Sequence, residues 1–283
     1  IFTAIAAFVR PGDEVIVFEP VYDSYVPAIE TVGGQAVFAQ LKFPDYAPDW
    51  EQVRGLISER TRMIIVNSPH NPTGSLLTAA DLERLAGLVR GTDIVILSDE
   101  VYEHIVFDGE RHASLCAHAE LATRSIVVSS FGKTYHITGW KIGYVVGPAA
   151  LMAEFRKVHQ FNVFTVHAPS QLAIAEYMQD ASRHLGLADF YQAKRDHFRQ
   201  LMAATPFELL PCRGTYFQLA RYAGISDLPD RAFAEWLTRE VGVAVIPVSV
   251  FNADGRDDRV VRFCFAKREA TLEAAVERLC KAL

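Results

Sequence analysis

The sequence contains no apolar run approaching the roughly 18–20 residues that a membrane-spanning helix needs. It has four cysteines, Cys116, Cys212, Cys264 and Cys280, and no CxxC pair. That scarcity excludes a disulfide scaffold and a cysteine-based zinc site, and it fits free thiols in a reducing, cytoplasmic compartment. The nine histidines, at 70, 104, 112, 118, 136, 159, 167, 184 and 197, show no HxxxH or HxH spacing, so no metal is assigned. Positive charge is not in excess. Lys and Arg number 28 against 34 Asp and Glu, a net charge of -6, which argues against a nucleic-acid-binding surface. Internal repeats and low-complexity tracts are also missing.

What is present is an ordinary globular balance, 50% hydrophobic and 22% charged, over 283 residues. That length suffices for one large domain or two unequal ones. The chain opens on Ile1, and Ile1, Ile5 and Phe8 with Val9 sit at helical spacing. The opening has neither the basic start nor the cleavage site of a signal peptide. It reads as the inside of a helix, and the chain as a fragment whose beginning is missing.

One pattern recurs. A helix-like segment is followed by a short Val/Ile-rich run that ends in polar residues. DEVIVFE (13–19) ends at Pro20-Val21-Tyr22, RMIIVN (62–67) at SPHNPTG, DIVIL (93–97) at Ser98-Asp99-Glu100, and SIVV (125–128) at SSFGK. Continuous apolar runs separated by helices predict a parallel sheet covered on both faces. Thr78 to Arg90 is predicted as one of the helices, with Thr78 and Asp81 as a capping box and Leu82, Leu85, Ala86 and Val89 as its apolar face. In such folds ligands bind beyond the C-terminal strand ends, so the polar residues after the runs are expected to share a site. Beyond about residue 165 the texture changes. A helical stretch from Pro169 to Ala203, broken near 183–189, precedes strand-like pieces at 207–210, 215–220, 243–246 and 259–265. A helix near 231–240 and a last helix carrying Leu272, Val276, Leu279 and Leu283 complete a smaller α/β domain. The expected boundary gives domains 1–182 and 183–283.

The richest segment is SSFGKTYHITGWKIGY, Ser129 to Tyr144. Lys133 follows a buried strand and a Gly-containing turn, and Lys141 follows eight residues later. One lysine can neutralise a phosphate, helped by the Ser130 hydroxyl, and the other can be a reactive amine. Desolvation and a neighbouring cation both favour a neutral, nucleophilic Lys133. The alternative is a solvated surface lysine. Asp99 is a helix cap or, at a cofactor site, the partner of a protonated ring nitrogen. Tyr102, three residues on, is core packing or a member of the same site. Asn71, in NPTG with Gly74, is a turn former or the donor of an amide to a cofactor oxygen. Tyr22, in EPVYDSY, is core or stacks on a planar ring. Arg262, in VVRFCFAK, is an internal salt bridge or a bidentate clamp on a carboxylate.

Taken together, EPVYDSY, NSPHNPTG, SDEVYEH, SSFGKTYHITGWKIGY and VVRFCFAKREATL resemble, in order and separation, the fold-type-I pyridoxal-phosphate aminotransferases. The resemblance runs over the whole chain. Lys in GWK, the tail RFCFAKREATL and AVIPVSVF are similar to the methionine and kynurenine aminotransferase subgroup. Thr165 stands where kynurenine-type enzymes tend to carry a histidine.

The resemblance implies an aspartate-aminotransferase-like fold, with a large cofactor domain of mostly parallel sheet and a smaller C-terminal α/β domain. It implies transfer of an amino group from methionine or an aromatic amino acid to a 2-oxo acid. Lys133 would form the aldimine and then carry the proton, Asp99 would pair with the ring nitrogen, and Asn71 and Tyr102 would bond its phenolate oxygen. Tyr22 would stack on the ring, and Ser130 and Lys141 would hold the phosphate. Arg262, with Asn71, would bind the substrate carboxylate, and Phe164 would line a substrate pocket, that of a partner subunit in a homodimer. The family's N-terminal gate and phosphate-binding turn lie before Ile1. A C–S β-lyase of the same fold, an aminotransferase-like sensor domain of a transcription regulator and an inactive fragment are the alternatives.

Overall fold

The apolar runs become strands because no other regular element of five to seven residues can bury side chains on both of its sides. In the computed structural model, which describes residues 1–283, every residue of β1 (Glu14–Glu19) is buried. Its side chains alternate between two cores. Val15 and Val17 join Met63, Ile65 and Leu97 on one face, while Ile16 and Phe18 join Ile64, Val66 and Ile96 on the other. The remaining strands of this sheet are β2 (Gln35–Lys42), β3 (Ala47–Pro48), β4 (Thr61–Asn67), β5 (Val95–Asp99), β6 (Ser125–Ser130) and β7 (Gly143–Val146). Their spatial order is β3-β2-β1-β4-β5-β6-β7. Pairings from β2 through β6 are parallel, and the two edge strands, β3 and β7, are antiparallel.

Helices cover both faces. The helix Ala79–Val89 starts with the predicted capping box, Thr78 accepting from the Asp81 N–H, and buries Leu82, Leu85, Ala86 and Val89. The opening residues form the helix Phe2–Phe8 against the opposite face, with Ala4 and Ile5 fully buried. Each buried leucine, isoleucine or valine contributes about 1.5–3 kcal/mol, and each buried alanine about 0.8 kcal/mol.

A second, antiparallel sheet follows: β8 (Glu208–Leu209), β9 (Phe217–Arg221), β10 (Ile246–Pro247) and β11 (Val260–Cys264), in the order β10-β11-β9-β8. Its core is not separate from the first unit, since Tyr102, Ile105 and Phe107, from the turn after β5, pack into it beside Phe217, Phe233 and Phe265. No helix is long and apolar enough to cross a membrane.

Three expectations are corrected. The segment 243–246 is not a strand; only Ile246–Pro247 pairs, with Val261 and Arg262. The stretch 169–203 is three helices, Ala168–Tyr177, Ser182–Leu185 and Leu187–Met202. The strand read as ending at Val128 runs on to Ser130, because Ser129 and Ser130 pair with Tyr144 and Gly143.

That last pairing depends on a missing side chain. A Cβ at Gly143 would overlap the Ser129 carbonyl oxygen, which is where strands tolerate glycine for close backbone approach. Gly143→Ala is therefore expected to cost about 1–3 kcal/mol in urea unfolding and to move Ser130.

Candidate active site

Parallel pairing brings the polar strand ends together. Asn67, the last residue of β4, lies in register with Asp99, the last of β5, and Asp99 with Val128 of β6. Beyond these ends is a cavity of about 220 Å³, whose wall includes Tyr22, Asn67, Asn71, Asp99, Tyr102, Ser130 and Lys133. A larger opening of about 620 Å³, beside Phe190 and Lys194, contains none of the strand-end residues.

Asp99 is the buried acid of this cavity. Tyr25, the first residue of the helix Tyr25–Thr31, donates its hydroxyl to Asp99 Oδ2 at 2.6 Å, and the Val101 N–H donates to Oδ1 at 3.3 Å. Burial pushes the Asp99 carboxyl up, and Tyr25, the Val101 N–H and the Lys133 charge each pull the other way. Burial and the Asp99 charge push the Tyr25 phenol well up, so it remains a donor.

Asn67 ties the next loop to this floor. Its Nδ2 donates to the Asp99 carbonyl at 2.9 Å, and its Oδ1 accepts from the Asn71 N–H at 2.8 Å. The NPTG turn closes through the Gly74 N–H to the His70 carbonyl at 2.8 Å, with Gly74 at φ +73°. Asn71 Oδ1 accepts from Arg262 Nη1 at 2.6 Å. A guanidinium can only donate, so this bond fixes the amide orientation and leaves Asn71 Nδ2 as a donor.

Arg262, on β11, lies 4.0 Å above the Phe217 ring and 5.4 Å from that of Phe251. It is half-buried, and its one hydrogen-bond partner is neutral Asn71. The internal salt bridge considered from sequence is thus absent, because the neighbouring positions supply aromatic faces rather than carboxylates. Burial lowers its pKa, only partly offset by Tyr102 and other neighbours.

Lys133 is on a one-turn helix, Phe131–Thr134, rather than in a loop, and Ser130 is the residue that begins it. Its Nζ donates to the Tyr216 hydroxyl at 3.2 Å and lies 5.6 Å from the Tyr102 ring centroid. Tyr102 meets Tyr216 edge-on, with centroids 5.2 Å apart. Tyr22 presents its ring to the cavity and meets Tyr25 edge-on at 5.4 Å.

Three expected residues are not in this wall: Arg262 meets it only through Asn71, and Lys141 and Phe164 lie elsewhere. Lys141 is exposed, in left-handed conformation at the end of the turn Thr138–Trp140. Phe164 is 81% exposed, just past the helix Ala149–Asn162. Three residues that do matter were not singled out. Tyr25 and Asn67 lie inside EPVYDSY and NSPHNPTG, where their positions at a helix start and a strand end were the available signals. Tyr216 sits in RGTYF, and only its place just before a strand marks it.

Comparison with known proteins agrees with this geometry. Residues 1–279 match the family model for aminotransferase class I and II. The chain belongs to the class I and II aminotransferases. It is 50% identical to the methionine aminotransferase of Escherichia coli strain K12 over 280 residues, covering 99% of this chain and 72% of that one. A crystal structure of an Escherichia coli protein with methionine aminotransferase function superposes with a TM-score of 0.97, at 49% identity, covering 99% of this chain and 74% of that one. Kynurenine–oxoglutarate transaminase 1 of Rattus norvegicus is 34% identical over 315 residues, covering 99% and 74%. This aminotransferase is therefore a pyridoxal-phosphate enzyme that acts on amino acids and 2-oxo acids, and its fold is that of aspartate aminotransferase.

The cavity fits that cofactor. A buried carboxylate, Asp99, and a primary amine, Lys133, line the same space, and two tyrosines, Tyr22 and Tyr102, border it.

Asp99 titrates higher in the folded aminotransferase than in the unfolded chain. The native state thus holds the extra proton, and stability falls as pH rises from the ordinary carboxylate range through the folded value. Tyr25→Phe removes the main opposing donor. In the cofactor-free protein it is expected to cost about 1.5–3 kcal/mol where Asp99 is ionised, and less at a pH low enough to protonate it. Urea unfolding over a pH series that starts in the ordinary carboxylate range and rises well above it measures the difference.

Proposed function

We propose that this aminotransferase moves the amino group of methionine or an aromatic amino acid to a 2-oxo acid. The observation that carries the reading is Arg262. A half-buried guanidinium over two phenylalanine faces, without a carboxylate, at the edge of a cavity holding Lys133 and Asp99, suits an amino-acid α-carboxylate. The substrate class rests on the printed names of the Escherichia coli and rat relatives. Neither of them supports the β-lyase or sensor reading.

When bound, the cofactor supplies an electron sink for the charge left at the substrate Cα. Asp99 would keep a proton on the ring nitrogen. Asn71 Nδ2 and the Tyr102 hydroxyl would donate to the ring oxygen, and burial pushes the Tyr102 phenol up so that it stays protonated. Tyr22 would lie against the ring. Ser130 would meet the phosphate, with Lys141 reaching it from outside the cavity wall. The Lys133 amine would bind the cofactor and accept the proton removed from the substrate Cα. Arg262 orients the substrate carboxylate while Asn71 Oδ1 holds one of its nitrogens in place. Residues 1–182 form the cofactor domain and 183–283 the smaller one. The four free cysteines suit a cytoplasmic location.

The partner is a second copy. Trp140, Tyr144, Val146, Phe161, Phe164, Leu172, Tyr177 and Leu185 are all exposed, and one residue of the helix Ala168–Tyr177 is buried. Exposed apolar side chains in this number suit an obligate interface, and Phe164 would reach the partner's pocket through it. Sedimentation should give about twice the chain mass of 31.5 kDa.

Incubation with methionine and a 2-oxo acid should transfer the amino group without releasing ammonia or pyruvate. Lys133→Ala should abolish both turnover and the visible absorbance of bound cofactor; survival of both would remove Lys133 from its role. Arg262→Lys should keep the absorbance and lower kcat/KM by about 100-fold, because a point charge loses the bidentate fit.

A further inference from the structure

We propose that Tyr216 is a positioning residue whose hydroxyl holds the free Lys133 amine and strengthens it as the base for the substrate Cα proton. The inference rests on the role given above to Lys133. Lys133 Nζ donates to the Tyr216 oxygen at 3.2 Å, and the Tyr102 hydroxyl lies 3.4 Å from the same oxygen. This one phenol therefore connects the amine to the tyrosine assigned to the ring oxygen. When Nζ takes a proton from the substrate Cα it becomes an ammonium, and an acceptor already in place stabilises that form. Passing that proton on would restore the neutral amine.

The backbone shows that the hydroxyl is held in place. Thr215 is fully buried and β-branched, yet sits at φ +67°, a conformation such residues avoid unless their surroundings impose it. Its N–H donates to the Ile105 carbonyl at 3.0 Å, the N–H groups of Arg213 and Gly214 donate to the Gly74 carbonyl at 3.0 Å, and the Phe265 N–H donates to the Tyr216 carbonyl at 3.1 Å. The segment is thus tied at once to the NPTG turn, to the turn after β5 and to the end of β11. The ring is packed against Phe217, Tyr102 and Tyr191, with centroids 4.7, 5.2 and 5.8 Å away.

Tyr216→Phe keeps the ring and removes the oxygen. The cofactor absorbance and the KM for the amino acid should be retained, while kcat falls about 10- to 100-fold, the range of a hydrogen bond to a charged group. The isotope effect with Cα-deuterated amino acid should rise, because proton removal becomes slower. In the cofactor-free protein, the pH midpoint for acetic anhydride labelling of Lys133, read by mass spectrometry, should move down, since the ammonium loses its acceptor. An unchanged kcat, isotope effect and labelling midpoint would reduce Tyr216 to packing and overturn the proposal. Retention of cofactor absorbance and activity in Lys133→Ala would instead overturn the reading on which it rests.

Discussion

The burial of the Asp99 carboxylate organises this molecule. Removing an ionised carboxylate from water costs several kcal/mol unless it is paired and hydrogen-bonded. Here two donors face it, the Tyr25 hydroxyl and the Val101 N–H, and no cation forms an ion pair with it. The neighbouring structure is arranged around that group. Asn67 anchors the Asp99 carbonyl and then the NPTG turn, Tyr25 starts a helix over it, and Lys133 sits across the cavity on its own turn of helix. A parallel sheet makes this arrangement accessible, because it lines up the ends of neighbouring strands on one edge.

Asn71 carries the organisation into the second sheet. Its backbone N–H is held by β4 through Asn67, and its side-chain oxygen is held by Arg262 on β11. One residue therefore sets both the height of the turn and the direction of the guanidinium. Tyr102 does the same through packing, as it leaves β5 and enters the core of the smaller sheet. The two sheets thus meet at residues that face the cavity, so a shift between them changes the spacing of Asp99 and Arg262.

Much of this could be read from the sequence because its signals are local. Val/Ile runs, a capping box and polar strand ends report the sheet, the helix Ala79–Val89 and the positions of Asn71, Asp99, Ser130 and Lys133 without knowledge of distant contacts. What was not legible depended on pairing across the chain. Arg262 in an apolar strand is consistent with a salt bridge or a ligand clamp, and only the folded neighbours, Phe217 and Phe251, decide between them. Tyr216 is 83 residues from Lys133 in sequence. Tyr25 reads as an ordinary helix-start aromatic until Asp99 is placed beneath it. Lys141 and Phe164, carried over from the resemblance, lie outside the cavity wall of this chain.

Three unfavourable features of this protein meet around one site. Asp99 is buried without a paired cation, Arg262 is half-buried without a paired anion, and Thr215 carries a backbone strain of about 1–3 kcal/mol. Structures that satisfy local rules almost everywhere tend to break them where they function. The first two costs have opposite signs of charge, and one kind of occupant relieves both: a group with a cation toward Asp99 and a carboxylate toward Arg262. Binding energy from such an occupant adds to folding stability by mass action. The strain at Thr215 is different, because the residue is fully buried and outside the cavity wall. What it maintains is the position of the Tyr216 hydroxyl next to the amine.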